Sequence, residues 1–491
     1  MITPLNIVLM KKVKKFLVSS LFIFSSTGFA QNEIDVLRYS KTTFGGTARN
    51  SSMAGAFGAI GGDFGALNNN PAGIGLYRKN EFTFTPTFFS QTTNTTYANE
   101  QTSDSKLNFN VNNIGLVINY NQPETTEQKG WIAANFAFGY NRTNNFHNRI
   151  TIQGNNSTSS LLDVFVKNST GRPDSTLNLF AEELAFRTYL IDTAQGPLSY
   201  FSAIPAGTTL QQQKYIETRG AMGETFMSFG GNYNNKLYVG ATIGFPNINY
   251  IEESTYQETD IKNTNATFHS FSYTNSLSTK AWGVNLKLGM LYRLTDWLRV
   301  GAAVHTPTVF SVSDSYSNTI TANYSNSTLP AASPEGTFKY SITTPMKAML
   351  SMAFVLSKRG ILSADYEYIN YADGRLHSTP NIFINQNKII QNTYVATSNI
   401  KVGAEWRFDP FSIRGGYALY GSPYAGSINS KTARSLFTTG IGYRQNNYFV
   451  DFAYILSLSS EYYYLYNSPT ISAANNNFSS SSIMATIGLR F

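Results

Sequence analysis

Alternation with period two is the dominant pattern along this chain. In the last segment Ile483, Ala485, Ile487, Leu489 and Phe491 share one face, and Met484, Thr486, Gly488 and Arg490 share the other. Between Ile400 and Phe408 the pattern repeats: Ile400, Val402, Ala404, Trp406 and Phe408 on one side, Lys401, Gly403, Glu405 and Arg407 on the opposite side. Successive side chains of a β-strand point to opposite faces, so each such run reads as a strand with one apolar and one polar face. The pattern predicts about fourteen strands, even in number as in bacterial membrane barrels. They run near 81–90, 107–120, 130–142, 222–233, 236–249, 280–293, 297–312, 344–357, 360–371, 394–408, 411–419, 434–445, 447–458 and 482–491.

The links between these strands alternate in length. Asn234-Asn235, Leu294-Thr295-Asp296, Lys358-Arg359, Asp409-Pro410 and Gln445-Asn446 are tight turns. Residues 91–106, 143–221, 250–279, 313–343, 372–393, 420–433 and 459–481 read as long polar links; 121–129 is longer than its place in the series predicts. A soluble sandwich would bury the apolar faces between two sheets and use turns at both ends. Short turns on one side and long loops on the other fit a transmembrane barrel, with lipid outside and a polar lumen. The expected fold is therefore all-β: an antiparallel transmembrane barrel in which Trp406 and Ile487 meet lipid while Glu405 and Arg490 face inward.

Composition sharpens this picture. Only 13% of the 491 residues are charged, whereas the chain holds 35 Phe and 31 Tyr. No stretch after residue 30 approaches the roughly 18 continuous apolar residues of a transmembrane helix. Lys11, Lys12, Lys14 and Lys15 precede the short apolar run Phe16–Phe24, and Gly28-Phe29-Ala30 supplies small residues at peptidase-read positions. Residues 1–30 thus read as a signal peptide cleaved after Ala30, with either Met1 or Met10 as the start. The net charge of +8 falls to +4 without the four lysines of that segment, which gives no case for nucleic acid. There is no cysteine, so neither a disulfide framework nor thiol chemistry is available. The terminal Phe491, closing an alternating strand, resembles the signal read by the barrel insertion machinery.

Residues 31–80 do not alternate. They are dense in Gly, Ala and Asn and have no apolar face long enough for a core of their own. Small residues let backbone approach a wall closely, so the segment suits a plug inside a barrel whose wall spans 81–491. Gly55, Gly58 and Gly61 are spaced GxxG, and without a βαβ unit they do not make a dinucleotide site. The order Ser52-Met53-Ala54-Gly55-Ala56, then Asp63 and Ala66, then Asn70-Pro71-Ala72-Gly73 resembles the mature N-terminus of the FadL/TodX outer-membrane transporters of long-chain fatty acids and aromatic hydrocarbons. "WGVNLKLGMLYRLTDWLRVGAAVHTP" and "SADYEYINY" also look like strands of that family.

The resemblance implies a fourteen-stranded barrel in the bacterial outer membrane, closed by an N-terminal hatch. It implies passive uptake of long-chain fatty acids or similar hydrophobic molecules, with lateral exit through a gap in the wall. Asn70, Pro71, Ala72 and Gly73 would form the moving hatch tip. The family also places a kink in an early strand, so the strand near Gly139 is expected to bend from its neighbour with the hatch tip against it; alternatively, Gly139 only makes room for a lumenal side chain. Each methylene moved out of water contributes about 0.8 kcal/mol, so a long acyl chain resists a water-filled pore and a dry route into the bilayer avoids that cost. The expected partners are the hydrophobic cargo, outer-membrane lipid and the insertion machinery, with the chain acting as a monomer and without a cofactor.

The remaining candidate chemistry is sparse. His147, His269, His305 and His377 lack metal-ligand spacing, and no serine can be placed beside His305, so neither a metal site nor an enzyme is expected. Asp365 and Glu367 share a lumenal face and read either as an acid–base pair or, better, as part of a wall charge network with Lys401, Glu405, Arg407, Asp451, Arg444, Lys287, Arg293, Arg299 and Arg490. Leu177, Phe180, Leu184 and Phe186 fit a helical spacing within the long link 143–221. They could be first contacts for a greasy ligand, or could pack the loop on its neighbours. Two other functions compete: a receptor for haem or another large ligand, disfavoured because such receptors need a large plug and about 22 strands, and a structural surface barrel without transport, which has no need of a mobile glycine-rich segment.

Overall fold

The computed structural model describes residues 33–121, 130–194, 196, 198–357, 359–426 and 429–491. The expected signal peptide and most of the 121–129 link lie outside these residues. The wall is a closed antiparallel barrel of 14 staves. In order they are β1 (Glu81–Tyr97), β2 (Glu100–Asn121), β3 (Trp131–Asn145, continued by Asn148–Asn156), β4 (Leu210–Tyr233), β5 (Leu237–Thr259), β6 (Phe268–Arg293) and β7 (Leu298–His305, continued by Val309–Tyr324). There follow β8 (Gly336–Thr343, continued by Lys347–Leu356), β9 (Gly360–Asn370), β10 (Ala396–Phe408), β11 (Phe411–Tyr420), β12 (Arg434–Gln445), β13 (Tyr448–Tyr463) and β14 (Ala474–Arg490). Each pairs with its chain neighbours, and β14 closes on β1 from Glu81↔Arg490 to Thr96↔Asn475. At the foot of that seam Asn80 and Phe491 exchange backbone hydrogen bonds of 3.1 Å in both directions.

The facing read from the alternation is observed. Trp406 and Ile487 are exposed on the outside, Glu405 is buried within, and Arg490 donates to Glu81 from the lumenal side. A girdle of exposed aromatics, including Trp131, Tyr233, Trp297, Trp406, Phe411 and Tyr448, follows the short-turn rim. Such rings mark a membrane–water interface, where an amphipathic ring has both environments in reach. Among the described residues no helix is long and apolar enough to cross a membrane.

The staves extend further than the alternation indicated. β6 has 26 residues, whereas about 9–11 suffice to cross the hydrocarbon core. The expected loop 91–106 is mostly ladder: β1 and β2 run on to a two-residue hairpin at Ala98-Asn99, both at positive φ (46° and 67°). The same correction applies within 250–279, 313–343 and 459–481, where paired strand replaces much of the expected loop. Above the bilayer both faces meet water or polar loops, so Thr, Ser and Asn occupy both and the period-two signal vanishes while the backbone ladder continues.

The long-loop end carries a folded cap built on the 157–209 segment. Helix α3 (Leu161–Ser169) starts with a capping box between Ser160 and Asp163, and α4 (Glu182–Arg187) follows. Leu162, Phe165, Leu184, Leu190 and Ile191 pack there against Tyr256, Phe268, Phe271 and Ile320 of the strand extensions. Beneath this apolar layer Glu258 accepts hydrogen bonds from Ser160 Oγ (2.5 Å), Leu161 N (2.9 Å) and Tyr256 Oη (2.6 Å). Tyr466 donates to Ser159 O at 3.0 Å, and burial pushes its phenol up to about 12.

Candidate functional site

The N-terminal segment fills the lumen. Its described residues form two helices, α1 (Glu33–Ser40) and α2 (Ala48–Ser52), and two short 3-10 segments, Gly65–Asn68 and Pro71–Leu76. Thr47 caps α2 by accepting from Asn50 N at 3.2 Å and also donates to Asp63 Oδ1 at 2.5 Å. Asn70 caps the last turn, with Pro71 in the first position where its missing N–H costs nothing. The Asn70 amide accepts from Ala72 N (3.1 Å) and donates to Gly58 O (2.6 Å) and Met290 O (3.2 Å). Asn70, Pro71 and Ala72 thus rest on β5 and β6, while Ile74 of the same turn meets β3, accepting from Asn135 at 2.6 Å.

Close approach there requires glycine in the wall. A Cβ on Gly289 would come within 2.0 Å of Asn70 Oδ1, and one on Gly240 within 2.4 Å of Pro71 O. Gly73 meets Gly61 across the hatch, where its own Cβ would lie 3.0 Å from that Cα. The paired Gly403 and Gly416 of β10 and β11 receive Met53 in the same way. Gly115 and Gly139, paired between β2 and β3, receive the ring of Phe64. Gly139 therefore makes room for a side chain, the alternative left open above, and its ladder is intact. The hatch residue against it is Phe64, not Asn70-Pro71-Ala72.

Charge completes the seating. Arg49 donates to both Glu405 oxygens (2.8 and 3.1 Å), and Arg414 bridges Glu405 and Asp451 at 2.6 Å each. Asp365 accepts from Gly58 N at 3.0 Å, while Glu367 pairs with Lys401 and accepts from Asn399. Lys287 bridges Glu224 and the hatch residue Asn68, and His305 Nε2 contacts Asn69 O at 2.8 Å. Glu367 and one oxygen of Asp365 are hence taken up by hatch and wall contacts, while Asp365 Oδ1 is buried without a hydrogen-bond partner. His147 bonds asparagines and His377 bonds Thr343; among the described residues no cluster of three metal-ligating side chains occurs.

Above the hatch lies a cavity of about 600 Å³. Its apolar lining includes Leu37, Phe44, Phe89, Ile150, Ile216 and Met484; its cations are Arg38, Lys41, Arg142 and Arg434, and its acids Glu252, 3.7 Å from Arg38, and Glu461. Arg38 pairs with Asp35 at 2.5 Å and sits 4.3 Å above the Tyr250 ring. Arg434 lies 4.6 Å from the Tyr420 ring, and Arg142 Nε is buried without a hydrogen-bond partner.

The cavity reaches a break in the wall. The β2–β3 ladder runs from Asn121↔Ala133 to Asn113↔Asn141 and ends there. β3 then bulges between Arg142 and Asn144 and is interrupted at Phe146-His147. It rejoins β2 only higher up, through Thr151 N on Asp104 at 2.7 Å. Across the interval Asn108 contacts His147 Nε2 (3.2 Å) and accepts from Asn145 (3.3 Å). Phe88 and Phe109 pack on the exposed outer side with tilted rings, centroids 5.0 Å apart. The hatch residues 41–46 cover the inside. Thr43 N donates to Thr143 O (2.9 Å), Asn112 donates to Gly46 O (2.8 Å) and Asn144 to Lys41 O (3.1 Å). Sequence reasoning missed this segment; its signals were the Gly45-Gly46 pair and the crowding of asparagines at 108–113 and 141–148.

The loop candidates are built into the cap. Leu177 and Leu184 are buried in its core, Phe180 packs at a tilt against Tyr316 with centroids 5.0 Å apart, and Phe186 meets Tyr200 edge-on at 6.2 Å.

No protein-family model matches the chain, and no curated protein matches it in sequence. Solved structures do match. The toluene transporter TodX of P. putida is 13% identical, with a TM-score of 0.55 over 91% of this chain and 99% of that one. A FadL homologue of Pseudomonas aeruginosa is 13% identical, with a TM-score of 0.54 over 92% and 99%. The toluene transporter TbuX of Ralstonia pickettii is 14% identical, with a TM-score of 0.50 over 91% and 99%. At such identities the likeness is one of architecture, and the architecture is that of the FadL-type outer-membrane transporters.

Proposed function

We propose that this chain is a bacterial outer-membrane transporter for passive uptake of long-chain fatty acids or similar hydrophobic small molecules. The observation that carries this is the continuity of the cavity, whose mixed lining combines apolar side chains with an excess of cations over acids, and the β2–β3 wall break. An amphipathic acid fits that lining: its tail meets Leu37, Phe89 and Ile216, and its carboxylate meets guanidinium groups, among them Arg142 with its unpartnered Nε. Cargo leaves sideways into lipid between Phe109 and Asn144 without crossing a water-filled pore. Gating is a movement of the hatch. The segment 41–46 slides off the break, Phe64 shifts on Gly115 and Gly139, and the Asn70-Pro71-Ala72-Gly73 tip moves on its glycine floor.

A cysteine pair tests the route. Thr43→Cys with Thr143→Cys staples the hatch over the break in a chain without native cysteine. Uptake of radiolabelled oleate by cells expressing the pair is expected to fall on oxidation and to recover with reductant. Undiminished uptake by the fully cross-linked protein would rule out this exit.

A further inference from the structure

A second cavity, of about 490 Å³, lies on the opposite side of the hatch, at the short-turn end. Arg49, Arg299, Arg359, Arg407 and Arg444 line it, with Ile60, Gly61, Gly62 and Leu76 of the hatch above. Among its described lining residues there is no Asp or Glu. The carboxylates behind the lining are already engaged: Glu405 accepts from Arg49 (2.8 Å), Arg407 (2.9 Å) and Arg414 (2.6 Å), and Asp451 accepts from Arg414. Buried Asp63 also acts on Arg49, so six arginines stand against three carboxylates, leaving three positive charges around one recess. Arg299 Nε is buried without a hydrogen-bond partner, and Arg444 lies over Phe449, 5.0 Å from the ring centroid. Hatch seating uses Arg49, through Glu405, and one nitrogen of Arg299, through Ile60 O, which does not account for Arg359 and Arg444. A guanidinium presents its donors in a planar fork that matches oxyanions, and like charges in a walled recess raise the local concentration of counter-ions.

We propose that this recess is an oxyanion-binding site, taking a phosphate or carboxylate group either free or as the head of an amphiphile. It is distinct from the cavity above the hatch and does not depend on what that cavity carries. Arg299, Arg359 and Arg444 are the residues left to grip the anion; Arg299 also ties the site to the hatch, through Nη1 to Ile60 O at 3.3 Å.

The test is calorimetric titration of the purified full-length barrel, in an uncharged detergent, with inorganic phosphate and separately with octanoate. Saturable binding of at least one is expected, and it should weaken at least about tenfold in Arg359→Gln/Arg444→Gln, which loses two charge-assisted partners. The exterior variant Arg219→Gln should bind as the parent does. Arg444→Lys keeps the charge but not the fork, and should give intermediate affinity in a barrel whose folding is checked by heat-modifiable gel mobility. Phosphate binding identifies a soluble anion; octanoate binding alone identifies an amphiphile head. Absence of saturable binding by the parent, or equal affinity in the double glutamine variant and in Arg444→Lys, would overturn the proposal.

Discussion

Two walls lie half a turn apart in the ring of staves and treat the hatch differently. The β10–β11 wall holds register from Asn399↔Tyr420 to Phe408↔Phe411 and grips the hatch with Met53 on paired glycines and with the Arg49–Glu405–Arg414–Asp451 chain. The β2–β3 wall keeps its ladder only over its lower part and meets the hatch with a ring edge, threonine backbone and asparagine amides. Buried paired charges are costly to separate, whereas neutral amide contacts exchange readily for water. One wall is therefore an anchor and the other a yielding face, and the same lumen provides both because its polar residues are distributed unequally.

Removing the anchor is the strongest way to break that contrast. Glu405→Ala leaves Arg49 and Arg414 short of a buried partner and should cost about 3–5 kcal/mol. Unfolding in urea, followed by gel mobility in micelles, reads the loss; a parent-like midpoint would show that the charge chain is not an anchor. Next, the two walls should be alike where they touch lipid. Val402→Arg on β10 and Phe138→Arg on β3 should each cost about 2–4 kcal/mol if near the midplane, with Ser480→Arg, in the cavity lining, nearly neutral. Thr486 cannot serve as that control, because it is buried and accepts from Ala48 N at 2.7 Å. Unequal penalties on the two outer faces would mean that the walls differ in more than their lumenal side.

Smaller still is the effect of filling the glycine seats. Gly403→Ala and Gly115→Ala should each cost about 1–3 kcal/mol by overpacking, since a Cβ at Gly115 meets the Phe64 ring. Only the Gly115 variant should also raise the ionic conductance of the barrel in planar bilayers, since Phe64 can be pushed into the cavity side whereas the Met53 backbone is held by the anchor. Equal conductance changes would erase the distinction. The smallest effect is expected outside both walls: Arg219 and Glu253 form an exposed pair at 2.5 Å, and Arg219→Gln should change stability by no more than about 1 kcal/mol.

What the sequence disclosed follows the same physics. Lipid imposes one apolar face, so Ile400–Phe408 and Ile483–Phe491 were legible with their facing. Gln91–Tyr97 and Ser459–Tyr463 were not, because above the bilayer nothing enforces alternation. The glycine-rich hatch was legible as a plug because such a composition cannot build its own core. Its contacts were not: which glycine receives Met53, Phe64 or Asn70 depends on the rotation of the plug in the lumen, which no local pattern encodes. Gly139 drew notice for its place in a strand, yet the break begins three residues later, at Arg142, where a bulge leaves no signal beyond the excess of asparagine.

The mutual hydrogen bonds of Asn80 and Phe491 have a consequence for biogenesis. The hatch enters the lumen at the closing seam, and only Tyr77–Asn80 separate its last turn from β1. A plug on so short a tether has no slack with which to be threaded through a finished ring. Encirclement must therefore come after docking, with the first and last staves zipping together around a plug already inside, as Ala48 N on Thr486 of the seam strand already marks. Order of assembly, rather than affinity, would then decide whether the lumen is stoppered.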